Sequence, residues 1–361
     1  MLTAQRRRHA VIAQADDTAP VVYSNQVYEA FARAEDVAGS IERFLNIGGL
    51  TIRLRFAGPA LVPYIMPAFA HLAVETHGMP ALTICMWDSI STRSPMPPHP
   101  WRDDAYIARG DIQGYNDDRI HTAFQNGVDA LNILDSYINR AVFWVYDARQ
   151  IPYYERGFPL RTILHWWMRD AGRQTVHAGA VGNESGGVIL AGKGGAGKST
   201  TALACLDSDL KYAGDDYVLL SAVPQPFVHS LYNSAKLNAD NLYRFPELIS
   251  EITNRERLDT EKGLMFLNDH FSERISRGFP LRAILLPHVT AHKETTVRKI
   301  SGAVSLKALA SSTMSQLPGA NAKTFQTLAE IVKQVPSYRL DAGSDISQIP
   351  TVIARLLAED C

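Results

Sequence analysis

Apolar and polar side chains alternate along Leu50-Thr51-Ile52-Arg53-Leu54-Arg55-Phe56, the period of a half-buried strand. Apolar runs at 81–87, 120–124 and 141–146 predict further strands. The connection Ser94-Pro95-Met96-Pro97-Pro98-His99-Pro100 is too poor in backbone donors for regular structure. The character changes near Tyr153. Pro159 opens a helix in which Leu160, Ile163, Leu164 and Trp167 recur at helical spacing until Gly172 stops it. Residues 175–181 read as one strand containing His177, turned by Gly182-Asn183 into the apolar run Val188-Ile189-Leu190. Strands follow at 227–232, 281–286 and 295–300. Two helices then carry apolar faces, Phe325, Leu328, Ala329 and Val332 in one and Ile349, Ile353, Leu356 and Leu357 in the other. The pattern predicts a smaller α+β domain over residues 1–152, then an α/β domain over 153–361.

Composition narrows the class. A chain of 361 residues exceeds the usual size of one hydrophobic core, and its net charge of -1 gives no global pull toward nucleic acid or an anionic membrane. Cys85, Cys205 and Cys361 are far apart and lack metal-ligand spacing, so neither a disulfide framework nor a zinc site is expected. Arg6-Arg7-Arg8 has no apolar core behind it and does not read as a secretory signal; Asp16, Asp17 and Pro20 mark a poorly ordered start. Residues 56–74 carry no formal charge, but Pro59, Pro63 and Pro67 interrupt them, which predicts protein interior rather than a membrane span. The expected location is cytoplasmic.

The chemistry concentrates after Leu190. Gly192-Lys193-Gly194-Gly195-Ala196-Gly197-Lys198-Ser199 fits the phosphate-binding pattern G-x-x-x-x-G-K-[ST], set between a strand and a helix whose face is Ala202, Cys205 and Leu206. Its glycines let successive amides point at phosphate oxygens, from Gly194 through Ser199 and Thr200, and the helix N-terminus adds a positive dipole end. In such a loop Lys198 reaches the terminal phosphates of ATP, and the Ser199 hydroxyl holds Mg²⁺. Asp215-Asp216 lies 17 residues beyond Lys198, at the edge of another apolar run. That spacing brings it back to the phosphates, where a metal carboxylate and a base are needed. Asp103-Asp104 and Asp117-Asp118 lack that context and read as solvated turns.

His177-Ala178-Gly179-Ala180-Val181, the glycine loop, and Gly214-Asp215-Asp216-Tyr217-Val218 together resemble the catalytic domain of HPr kinase/phosphorylase, over roughly residues 157–300. The resemblance implies the P-loop fold of HPr kinase and phosphoenolpyruvate carboxykinase. It also implies ATP and Mg²⁺ as cofactors, and a kinase that phosphorylates serine on a peptide or protein. By resemblance Asp215 is the general base, Asp216 binds Mg²⁺ with Ser199, and His177 lies near the transferred phosphate. A homo-oligomer is also implied. The family's Leu-Glu-x-Arg-Gly stretch is replaced here by His229-Ser230-Leu231-Tyr232-Asn233-Ser234-Ala235-Lys236-Leu237, in which Lys236 offers a phosphate-side cation. In this respect the chain is similar to HPr-kinase-like enzymes that phosphorylate a serine of a precursor peptide.

Two alternatives stand beside this reading. The loop also resembles that of MinD/ParA switch ATPases, whose extra lysine at the Lys193 position contacts a partner's nucleotide. Those begin almost at their loop, whereas about 185 residues precede this one, and Ile284-Leu285-Leu286-Pro287 lacks their aspartate. The other alternative is a non-catalytic nucleotide sensor.

Overall fold

The computed structural model describes residues 18–75, 78–107 and 110–359. Arg6 to Arg8, Asp16, Asp17 and Cys361 lie outside them. The chain divides into two compact units. The first comprises Met1–Phe44, Thr51–Pro63 and Thr76–Ile151; the second comprises Leu45–Leu50, Tyr64–Glu75 and Pro152–Cys361. Both are mixed α/β.

The first unit is built on a 6-stranded sheet in the order β1-β2-β3-β6-β5-β4, with β1 Ser40–Ile47, β2 Leu50–Ala57, β3 Leu82–Asp88, β4 Ile120–Gln125, β5 Ala130–Asp135 and β6 Arg140–Val145. Helix α1, Ala19–Ala38, buries Val27, Ala30, Phe31 and Ala34 in one cluster with Trp87, Leu131 and Val142. The 94–100 connection is irregular, as its prolines require. Asp117 accepts from the amides of Arg119 and Ile120, both at 2.7 Å, a turn role.

The second unit holds a 9-stranded sheet. Its main path runs β10-β8-β9-β15-β12-β11-β7, and β17 pairs with both β15 and β16. The strands are β7 Gln174–His177, β8 Gly179–Asn183, β9 Gly186–Leu190, β10 Lys211–Gly214, β11 Tyr217–Ser221, β12 Phe227–Ser230, β15 Gly278–Val289, β16 Thr296–Ile300 and β17 Ser337–Ala342; β13 Ser234–Leu237 and β14 Gly263–Phe266 pair separately. β9, β15 and β17 run parallel.

Both faces of this sheet are covered. Val188 and Leu190 pack with Ala202 and Leu203 of helix α2, Lys198–Ala204, and with Ile349 and Ile353 of the final helix, Gln348–Glu359. Ile189 and Ala191, pointing the other way, pack with Leu309 of the helix Gly302–Gln316 and with Leu328 and Ile331 of the helix Ala322–Gln334. A strand buried on both faces reads as a continuous apolar run. Fully burying a Val, Leu or Ile side chain here contributes about 1.5–3 kcal/mol.

Four local expectations change. The predicted strand over 175–181 is two strands: β7 joins β11, whereas β8 joins β9 and β10, with the break at Ala178. The turn into β9 falls at Glu184 and Ser185, not at Gly182-Asn183, which remain in β8. The helix expected from Pro159 begins at Arg161, because Leu160 adopts a left-handed φ of 58°. Phe325 is 45% exposed, and Thr324 takes the inward position expected of it. Residues 62–69 form a short helix containing Pro67, and among the described residues no helix is long and apolar enough to cross a membrane.

Candidate active site

The glycine loop leaves the carboxyl end of β9, where open α/β sheets form ligand crevices. Gly197 caps α2 with φ 102°, and a Cβ there would stand 3.2 Å from Val289 at the end of the neighbouring parallel strand. The position therefore demands glycine twice over, by conformation and by space. From the first turn of α2, Lys198 folds back over the loop: its ammonium donates to the carbonyl of Gly192 at 2.9 Å and reaches that of Lys193 at 3.4 Å. Burial lowers its pKa, opposed by the nearby charges of Asp216 and Asp215.

The acidic pair occupies the break between β10 and β11. Gly179 opens β8 directly against it, since a Cβ there would lie 3.0 Å from the carbonyl oxygen of Asp215. The two carboxyls meet different surroundings. Asp215 is 1% exposed; its Oδ2 accepts from the Lys236 amide at 3.0 Å, and its Oδ1 is buried without a partner. Burial first, then the charge of Asp216, raises its pKa, against the opposing Lys236 amide and Ser199 hydroxyl. For Asp216 burial is again the largest influence and acts upward, but His177, Lys236 and Lys198 outweigh it and hold the carboxyl below its ordinary value. Paired acids driven apart in this way are a mark of divided acid and base roles.

His177, at the end of β7, places Nε2 3.4 Å from Oδ1 of Asp216. Its Nδ1 lies 2.5 Å from Oγ of Ser312, which is 3.4 Å from the Gly192 carbonyl that also receives Lys198. The acid, the histidine and the loop are thus one polar network. Lys236, on β13, sets its ammonium 3.2 Å from the Tyr154 carbonyl and 4.0 Å from the centre of the Phe158 ring. Burial brings its pKa down to about 8, with Asp216 resisting.

These groups face a cavity of about 700 Å³. Gly194, Gly195, Gly197, Lys198, Ser199 and Thr200 line it from the loop and helix, His177 and Lys236 from strands, and Asp216 from the break between β10 and β11. Gly192, Ala196 and the exposed Lys193 are not on its wall, and Asp215 is buried behind it. The structure adds residues that sequence patterns did not single out. Arg161 pairs with Glu155 at 3.2 Å and lies 3.4 Å from the Tyr217 hydroxyl; burial opposes its charge, but Glu155 and Tyr217 hold its pKa above the ordinary value. Arg244 and Lys262 bring further positive charge to the wall. None of these falls at a motif spacing from the loop, so only the chain's path reveals them. Ser312 lies on the helix Gly302–Gln316, whose buried face mixes Ser305 and Thr313 with Leu309 and Ala310, so no apolar pattern pointed to it.

The donor set suits a hard cation. Ser199 and Asp216 offer oxygen ligands on one wall, and Asp215 keeps an unsatisfied oxygen beside them. Among the described residues no group of three or more His, Cys, Asp or Glu could hold a metal alone. Ser199 and Asp216 are the residues here that could hold a hard cation such as Mg²⁺, with waters completing its shell.

No protein-family model matches the chain, and no curated protein matches it. Among solved structures it is similar to the HPr(Ser) kinase/phosphatase from Coxiella burnetii, with a TM-score of 0.31 and 13% identity, over 52% of this chain and 97% of that one. A likeness this distant does not define the chemistry of the site.

Proposed function

We propose that the second unit is an ATP-dependent kinase that transfers the γ-phosphoryl group of Mg-ATP to a serine hydroxyl of a peptide or protein. The observation that carries this reading is the acid pair, with Asp215 buried and Asp216 on the cavity wall, beside a glycine-rich loop and its buried lysine. Backbone amides from Gly194 to Ser199 and the Lys198 ammonium hold the phosphates. Ser199 and Asp216 hold Mg²⁺, which when bound neutralises phosphate charge. Asp215 takes the proton of the attacking hydroxyl through its unpartnered Oδ1, directly or through one water, as the acceptor arrives. His177 fixes Asp216, and Lys236 balances charge beside both acids. The protein works in the cytoplasm, as a homo-oligomer.

Incubation with γ-labelled Mg-ATP and serine-containing peptides tests this: labelled phosphoserine is expected. Release of free phosphate alone, with ATP-dependent dimerisation, identifies a switch ATPase instead. That second reading draws on Lys193, whose exposed side chain stands off the cavity wall.

A further inference from the structure

A second cavity, of about 590 Å³, opens at the other end of strands β7 and β11. It shares no wall residue with the first. Gln174 and Ser221 line it, whereas His177 and Tyr217, at the opposite ends of the same strands, line the first. Three residues of extended chain put roughly 10 Å between Gln174 and His177.

Two polar groups on its wall are left wanting. A guanidinium carries five N–H donors. Arg173 donates through Nη1 to the Ala171 carbonyl at 2.8 Å, and its Nε is buried without a hydrogen-bond partner. Burial lowers its pKa, with no acidic neighbour acting the other way. The turn at Gly48 and Gly49 lies against this guanidinium, and a Cβ on Gly48 would come within 2.8 Å of Nε, yet no carbonyl of that turn takes its protons. The nearby charges are engaged or distant: Lys323 and Arg169 both pair with Asp170, at 3.5 and 3.4 Å, and Glu330 forms no ion pair with Arg173. Gln174 is 1% exposed; its Nε2 donates to the Thr175 carbonyl at 2.8 Å, and its Oε1 is buried with no partner. His229, whose pKa burial and Arg173 lower to about 4, is a neutral ring 3.1 Å from the Ser221 hydroxyl. Arg173 is half-buried with its Nε–H unpaired, and a binding pocket recovers the missing hydrogen bonds when its ligand supplies acceptors and counter-charge.

We propose that this cavity binds a small oxyanion, a carboxylate or a phosphate, whose charge pairs with Arg173 and whose donor group meets Oε1 of Gln174. The site stands independently of the kinase reading. Full-length protein carrying Lys198→Ala, to remove the loop's own grip on phosphate, is labelled with ¹⁵N-arginine. It is titrated with inorganic phosphate and, in a parallel arm, with lactate, whose hydroxyl supplies the donor. A saturable shift of the Arg173 Nε–H resonance is expected in at least one arm, with a rise in thermal midpoint that follows the same saturation. The arm that responds identifies the anion. The thermal response should vanish in Arg173→Gln, and Gln174→Leu, which keeps the charge, should weaken a donor-bearing anion such as hydrogen phosphate by roughly tenfold. No saturable response in either arm, or an undiminished thermal response in Arg173→Gln, overturns the proposal. If Arg173→Gln fails to fold, the titration of the parent and of Gln174→Leu still decides.

Discussion

The backbone amide of Lys236 donates to Oδ2 of Asp215 at 3.0 Å, and the other oxygen of that carboxyl is buried with no hydrogen-bond partner. Burial, followed by the charge of Asp216, raises the Asp215 pKa to about 7. The folded protein therefore holds this proton more tightly than the unfolded chain. The associated stability is fully present below about pH 4 and is lost as pH rises through about 7. Asp215→Asn removes that dependence while keeping an acceptor for the amide. Its thermal midpoint should exceed that of the wild type most at pH 8, by an amount equivalent to roughly a few kcal/mol, and the gap should narrow toward pH 4. Thermal unfolding followed by circular dichroism across that range checks this; a gap that widens on acidification contradicts it.

A base must be ionised to accept a proton, so phosphoryl transfer should rise with pH through about 7 as Asp215 titrates. On the alkaline side, Lys236 loses its charge near pH 8 and the rate should fall. Lys236→Arg keeps the charge at higher pH and should move the alkaline limb upward or abolish it. Initial rates from roughly pH 5.5 to 9.5, which spans both groups, provide the test.

His177 holds Asp216 at 3.4 Å, and the neighbour that orients a metal carboxylate affects metal affinity. His177→Ala should raise the Mg²⁺ concentration needed for half-maximal nucleotide binding by about 10- to 100-fold. Asp216→Asn should raise it at least as much. Nucleotide titrations at stepped Mg²⁺, with Mg²⁺-free binding as the control, separate this from general damage.

Two glycines of the loop should behave differently. Gly197→Ala forces an L residue to φ 102° and presses on Val289, at a cost of about 1–3 kcal/mol. Gly194 has no neighbour within 4 Å of an added Cβ, so Gly194→Ala should change stability by less than about 0.5 kcal/mol. Because Gly194 lines the cavity, the added methyl should still weaken nucleotide binding. Chemical denaturation and nucleotide titration of the two variants read the two effects separately.

What the sequence made legible follows the physics of each element. β2 alternates, and β9 and β15 are apolar runs beside glycine and proline signals, so their patterns were readable. β5, with all six positions buried, has no alternation to read, and β1 leaves only Leu45 and Ile47 buried at its end. The helix Gly302–Gln316 went unseen because its inward face mixes Ser305 and Thr313 with Leu309 and Ala310, which leaves little apolar contrast. In the site, the loop and acid pair were visible because their chemistry depends on local spacing. Arg161, Ser312 and Lys262 reach the same cavity or network from distant parts of the chain, and no periodicity encodes a meeting made by tertiary folding.

The most direct test compares wild type and Asp215→Asn in single-turnover transfer of labelled γ-phosphate to a serine peptide, with nucleotide affinity measured in parallel. The proposed role predicts that affinity stays within a few-fold while the transfer rate drops by about 10²–10⁴-fold. An Asp215→Asn protein that still phosphorylates serine at the wild-type rate would contradict it.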